Sequence, residues 1–358
     1  MNNRVEELDF LRGISIVGVV VIHVFSSFVY VMNSNPGLGI YGLVLSQWTR
    51  FSVPMFLFVS AASLTVTHSN DFNYSKFLLR RIRIILVPYF IWSLVFEFNK
   101  GNLDSFSIPA LFNILSDLVQ GNAASQYYFI PLVMQFYILY PLFLWISATR
   151  RGFAGTAILF AVVQVSAILL LTTIEESGIK FPHAMEGFFL QWIFYFVLGC
   201  LWWSLRQNDE GTNSPLLTGL LLVLALIILP LKFFLVVGMT GVPRNIINQE
   251  TQYFRGEMLS FFALTLPLLW HLAEIVKHKG GTLIKSTLKA LGRYSFGIYL
   301  VHLFFINSVI SACMKADGDF MKCILLTLSI PLIIAISMAL LWFLDRIPIL
   351  RVASTLSR

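Results

Sequence analysis

Leu8-Asp9-Phe10-Leu11-Arg12-Gly13 runs without a break into an apolar segment from Ile14 to Met32, with one histidine, His23, in its middle. About 20 apolar residues suffice for a helix to cross the ~30 Å hydrocarbon core of a bilayer. The segment is therefore expected to form a first transmembrane helix, with Arg12 at one mouth and His23 near mid-depth. At 100° per residue, the step from Arg12 to His23 turns about 1100°, which is three turns plus roughly 20°. That sets guanidinium and imidazole on one face about 16 Å apart. An ionisable side chain at mid-membrane is costly and marks function by default; the competing explanation for a lone His is interhelical hydrogen bonding.

Composition makes the whole chain a polytopic membrane protein. Of its 358 residues 57% are hydrophobic and 12% charged, against about 25% charged in soluble domains, and the mean hydropathy is +0.79. The start of the chain carries Glu6, Glu7 and Asp9 against Arg4 and has no small-x-small cleavage site, so the first helix is expected to stay in the membrane rather than be removed as a signal. The net charge of +7 is spread over short connections, which points to membrane topology and not to nucleic acid. Cys200, Cys313 and Cys323 offer no Cys-x-x-Cys pair; Cys313 and Cys323 flank one short loop, where a pairing is conceivable.

Hydropathy predicts an all-α bundle of about ten spans, near 13–32, 45–67, 83–99, 127–147, 153–173, 187–205, 215–237, 254–276, 294–313 and 322–344. Alternate connections differ sharply in Lys and Arg. One set holds Arg4, then Lys76 with Arg80, Arg81 and Arg83, then Arg150 and Arg151, Arg206, the run from Lys277 to Arg293, and Arg346, Arg351 and Arg358. The other set holds little beyond Lys100, Lys180, Arg244 and Lys315, so the positive-inside rule places both termini in the cytoplasm. No linker, low-complexity tract or repeat divides the chain, and a single domain over 1–358 is expected. The apolar patch at Ile108–Leu118 could form a short interfacial helix.

Two further stretches carry polar chemistry. Phe77-Leu78-Leu79-Arg80-Arg81-Ile82-Arg83 approaches the third span from the cytoplasmic side. Arg80 and Arg83 are spaced to share a helix face, where two guanidiniums suit the phosphates of a nucleotide cosubstrate or simply anionic headgroups. Later, Gly292-Arg293-Tyr294-Ser295-Phe296-Gly297-Ile298-Tyr299-Leu300-Val301-His302 enters the ninth span. Ser295, Tyr299 and His302 recur at i, i+4 and i+7 as one polar stripe, and His302 lies roughly 13 Å deep, close to the depth inferred for His23. Glu97 and Glu257 map to outer helix ends. They could snorkel to the surface or line a vestibule for a hydroxylated acceptor, helping to orient His23. The six His residues are scattered and no Gly-rich phosphate turn is present, so no metal site is expected.

The Asp9-x-x-Arg12-Gly13 context with its Arg12-x10-His23 spacing, the Arg80-x-x-Arg83 pair and the Ser295-x-x-x-Tyr299-x-x-His302 stripe together resemble the acyltransferase-3 family of integral membrane acyltransferases. Pro54–Ala61 is similar to a family segment that usually reads Phe-x-x-Ser-Gly, with Ala61 in place of the glycine. Tyr127–Pro131 with Gln135 and Tyr137 is similar to an aromatic-rich one, in which Tyr and Gln could meet a sugar. The resemblance implies an O-acyltransferase, in the simplest case an O-acetyltransferase. It would use acyl-CoA as cosubstrate, with no tightly bound cofactor, to modify an extracytoplasmic glycan or glycolipid. By it, Arg12, Arg80 and Arg83 hold the CoA phosphates, His23 is general base or acyl-accepting nucleophile, and His302 assists. Ser295 and Tyr299 are placed towards the substrate unless they serve interhelical hydrogen bonding, and Glu97 and Glu257 are placed there by their position alone. The implied site is the bacterial cytoplasmic membrane, with lipids as the surrounding partner. The rival reading is an exporter of a polysaccharide or lipid-linked intermediate in which buried His and Arg relay protons, although no inverted-repeat pattern supports it.

Overall fold

The computed structural model describes residues 5–25, 36–67, 72–101, 108–148, 153–177, 187–206, 256–347 and 350–353. Its helices are α1 (Glu6–Phe25), α2 (Pro36–Trp48), α3 (Ser52–Thr67), α4 (Tyr74–Arg81), α5 (Val87–Asn99), α6 (Ile108–Gln120), α7 (Phe129–Ile138), α8 (Tyr140–Ala148), α9 (Phe153–Glu176), α10 (Ile193–Arg206), α11 (Gly256–Lys279), α12 (Thr282–Cys313) and α13 (Asp319–Arg346). No strand occurs among the described residues. The all-α expectation is met. Among the described residues five helices are long and apolar enough to cross a membrane, or six if the bent pair α7–α8 is one span. The expected span at 215–237 lies outside the described residues.

Several expected spans are more irregular than hydropathy implies. The segment 45–67 breaks at residues 49–51, between α2 and α3. The segment 127–147 bends by 59° between α7 and α8, just before Pro141, whose ring and missing N–H disfavour a continuous helix. The segment 83–99 opens with a π-helical turn, Ile82–Leu86, ahead of Pro88. Ile108–Leu118 is helical, as the core of α6. Cys313 and Cys323 are both free thiols, half-buried at the ends of α12 and α13.

The chain forms two compact units. The first contains 1–59 and 209–339, and its centre is the packing of α1 on α12. Two glycines make that approach possible. A Cβ on Gly13 would lie 2.7 Å from the Leu288 carbonyl oxygen, and one on Gly292 would collide with the Asp9 backbone. Small residues that let backbones meet are how helices gain dispersion contacts where lipid is as apolar as Leu. Around the start of α1, Lys277 Nζ holds Glu7 Oε1 at 2.9 Å and Lys289 Nζ holds Glu6 Oε1 at 2.7 Å, fastening α1 to α11 and α12.

These two ion pairs differ in environment, and a stability difference follows. Glu7 is 1% exposed, whereas Glu6 and Lys289 are both well hydrated. Lys277→Met withdraws a partner from a buried carboxylate and is expected to cost on the order of 1–3 kcal/mol, while Lys289→Met costs less than about 1 kcal/mol. Thermal unfolding of the two variants in detergent measures the difference, and equal melting temperatures would contradict it.

The second unit contains 60–208 and 340–358 and is held by aromatic packing. The Phe136 and Phe196 rings stack at 4.5 Å, the Tyr89 hydroxyl donates to the Leu118 carbonyl at 2.6 Å, and Trp92 Nε1 donates to the Ala353 carbonyl at 3.0 Å. Gln135 is consumed structurally. Its Nε2 donates to the Gly187 carbonyl at 2.7 Å, and its Oε1 accepts from the Phe189 N–H. Both functional groups of its carboxamide thus serve to anchor the loop.

Candidate active site

α1 and α12 each deliver one histidine to the same place. Along α1, Arg12 and His23 are both partly accessible, although most of the helix around them is buried. This agrees with the common face expected from their spacing. On α12 the Ser295, Tyr299 and His302 stripe is buried throughout. The rings of His23 and His302 lie with centroids 5.2 Å apart and planes at 53°, and the Tyr299 ring is 6.5 Å from His302. Two imidazoles assigned to one depth from sequence alone thus meet in space. Gly13 and Gly292 let the two helices approach closely at one end of the same contact.

The hydrogen bonds of His302 fix its tautomer. Nδ1 sits 2.9 Å from both the Ile298 and the Tyr299 carbonyl oxygens, which can only accept, so Nδ1 carries the proton. The lone pair is therefore on Nε2, which is buried without a hydrogen-bond partner among the described residues. A buried acceptor without a partner costs on the order of 1–3 kcal/mol and is tolerated where something else is meant to fill it. With His23 beside it, the pair is suited to take one proton and pass it between two rings. Ser295 Oγ, by contrast, donates back to the Gly292 carbonyl at 2.9 Å and caps its own helix turn.

The α2–α3 corner supplies a further buried cation that the motifs do not single out. Arg50 is 8% exposed and lies close enough to His23 for their charges to interact. Burial on α2 and into the corner follows positions 43, 46, 47 and 50, the i, i+3, i+4, i+7 face. The break at residues 49–51, inside one apolar stretch, turns the guanidinium inward. The signal available in the sequence was an arginine flanked on both sides by apolar residues too numerous to be a loop.

At the start of α1, Arg12 Nη1 pairs with Asp9 Oδ1 at 2.9 Å. Arg80 and Arg83 belong to the second unit, one at the end of α4 and one in the π-helical turn, and both are exposed. Between them Arg81 turns inward, with its guanidinium 5.4 Å from the Phe77 ring centre and 5.5 Å from that of Tyr137. Glu97 is fully buried in the second unit and is held by Lys100 Nζ at 2.9 Å. The Glu257 side chain lies outside the described residues. Among the described residues no group of three His, Cys, Asp or Glu side chains could hold a metal ion.

Residues 5–346 match the family model described as an acyltransferase domain, of the acyltransferase-3 type. The chain belongs to the acyltransferase-3 family. The match takes in Arg12, His23, Arg80, Arg83 and the whole of α12, so each motif that carried the resemblance lies within it. Among curated proteins, this acyltransferase-3 chain is 23% identical over 313 residues to the probable poly-β-1,6-N-acetyl-D-glucosamine export protein of Staphylococcus aureus, covering 85% of this chain and 83% of that one. It is likewise 23% identical over 312 residues to the protein of that name from Staphylococcus epidermidis, covering 85% and 81%. No solved structure matches it.

Proposed function

We propose that this chain is a multi-pass O-acyltransferase of the bacterial cytoplasmic membrane. It moves an acyl group, acetyl in the simplest case, from cytoplasmic acyl-CoA to a hydroxyl of an extracytoplasmic glycan or glycolipid. The observation that carries the reading is the His23–His302 pair with its buried, unpartnered Nε2, placed inside an acyltransferase-3 domain. Both termini are cytoplasmic in this scheme, so Arg12, Arg80 and Arg83 meet the nucleotide end of CoA, and the pantetheine arm extends along the Arg12–His23 face of α1. Its reach of about 16 Å on the helix matches the need to bring a cytoplasmic thioester to mid-membrane. His23 removes the acceptor proton, and His302 shares or relays it. Direct attack on the thioester and a transient acyl-imidazole on His23 are both compatible with this arrangement.

The exposed arginines make a separable prediction. Arg80→Ala and Arg83→Ala are each expected to raise KM for acetyl-CoA about tenfold with a smaller change in kcat, because each removes a charge-assisted hydrogen bond to phosphate. The effect should shrink as salt is raised. Steady-state release of CoA thiol reads both parameters, and an unchanged KM would assign these arginines to lipid headgroups.

The names printed for the staphylococcal relatives favour a second reading, export of a poly-N-acetylglucosamine-type glycan, with the two histidines relaying protons. Acyl-CoA turnover separates the two. Purified protein that transfers labelled acetyl to a glycan is a transferase, and protein that moves glycan across vesicles while leaving acetyl-CoA intact is an exporter.

A further inference from the structure

Acyl transfer needs something the two histidines do not provide. When a hydroxyl oxygen attacks the thioester carbonyl carbon, the C=O π pair moves onto the carbonyl oxygen, and that oxyanion needs hydrogen-bond donors aimed at it before the reaction starts. Histidine as base takes the hydroxyl proton; it does not stabilise the oxygen. A donor serving that purpose should be buried, on a fixed element, beside His23, and without a partner in the resting site.

Gln47 is buried and unpartnered, one helical turn before Arg50, the residue whose charge reaches His23. It is 5% exposed, and among the described residues its buried carboxamide Nε2 has no hydrogen-bond partner. An amide N–H left unmet in an apolar interior costs on the order of 1–3 kcal/mol, an outlay that packing alone does not explain. Gln47 lies three residues before Arg50 on the buried face, and Arg50 interacts with His23. The corner carrying both is tightly tied. The Thr49 N–H and hydroxyl bond back to the Leu45 carbonyl, Arg50 N–H donates to the Gln47 carbonyl at 3.2 Å, and Ser52 Oγ donates to the Thr49 carbonyl at 2.6 Å. Ser52 and the Thr49 carbonyl pack on Gly18 of α1, one and a half turns below His23, where any Cβ would strike the Ser52 side chain. The corner is thus held in fixed register with His23.

We infer that Gln47 and Arg50, at the break between α2 and α3, form the oxyanion-binding corner of the transferase, donating to the thioester carbonyl oxygen while His23 works on the acceptor hydroxyl. The inference rests on the acyltransferase reading above. In the step, the hydroxyl oxygen bonds to the carbonyl carbon, its proton passes to His23, and negative charge collects on the oxygen facing Gln47 Nε2 and the Arg50 guanidinium. Re-formation of the C=O bond then breaks the C–S bond. The electron pair leaves on sulfur, and the proton held by the imidazole goes to the thiolate, giving ester and CoA thiol.

Full-length protein in nanodiscs, supplied with acetyl-CoA and an N-acetylglucosamine oligosaccharide, tests the inference through Gln47→Leu, which roughly keeps the side-chain volume and removes the donor. The expected result is a fall in kcat of about 10²-fold, with acetyl-CoA affinity within about threefold of wild type and a melting temperature no lower than wild type. Arg50→Lys, which keeps the charge but loses the planar fork, is expected to fall between wild type and Gln47→Leu. An unchanged kcat in Gln47→Leu overturns the assignment, as does a loss expressed only in KM. A loss confined to acyl donors that carry a free carboxylate would also overturn it, by making the corner a recognition site for the acyl group. If wild type itself turns over no acetyl-CoA, the acyltransferase reading falls and this corner's role with it, a result visible before any variant is made.

Discussion

His23→Ala is expected to lower acyl transfer to a glycan hydroxyl by about 10²–10⁴-fold while CoA affinity and folding stay close to wild type. The residue is half-buried, and in the structure its ring meets His302 and the field of Arg50. Its removal takes away the proton acceptor but none of the groups assigned to CoA. His302→Ala should also slow the reaction, since its Nε2 is the only ring nitrogen of that residue left to exchange a proton, Nδ1 being spent on two carbonyls. Residues acting as one unit are not additive. The double variant is therefore expected to be about as slow as the slower single one. Single-turnover release of CoA thiol measures all three, and fully multiplicative losses would show that the histidines act in separate steps.

Gly292→Leu carries the largest structural effect. Any Cβ at this position collides with the Asp9 backbone, which cannot swing aside as a flexible side chain would. The substitution forces α1 and α12 apart at their closest crossing, an overpacking cost of about 3 kcal/mol or more. Because that crossing sets the separation of His23 and His302, activity should disappear even in the fraction that remains folded. Gly155→Leu is the matched control: a Cβ at Gly155 meets nothing within 4 Å among the described residues, so it is expected to leave melting and turnover near wild type. Comparable melting temperatures for the two variants would contradict this account of the helix crossing.

Much of this arrangement is legible in the sequence, for reasons specific to its residues. Hydropathy reports helix existence well in a membrane, since an apolar run must satisfy its backbone internally. The last described helix, Asp319–Arg346, accordingly covers its expected span, while the first starts at Glu6, ahead of its expected start. The equal depth of His23 and His302 follows from the 1.5 Å rise per residue alone. Their contact does not, because it depends on Gly13 and Gly292 meeting backbones on opposite helices, a pairing no single segment encodes. The inward turn of Arg50 is not legible for a related reason. A hydropathy window averages over the break at 49–51 and cannot say that the chain turns its arginine inward there. Arg81 shows the same limit: Arg80, Arg81 and Arg83 are one cationic cluster in sequence, yet Arg81 packs over Phe77 and Tyr137 while its neighbours face outward.

The central claim is that an acyl group leaves CoA and ends on a glycan hydroxyl at the His23–His302 site. The most direct measurement is mass spectrometry of poly-N-acetylglucosamine oligosaccharide after incubation with the purified protein and isotope-labelled acetyl-CoA, alongside a count of thiol released. The account predicts labelled ester on the glycan, one thiol per ester, and neither product with His23→Ala. Glycan that crosses a vesicle membrane unlabelled, with acetyl-CoA untouched, would contradict it and make the two histidines part of a transport path.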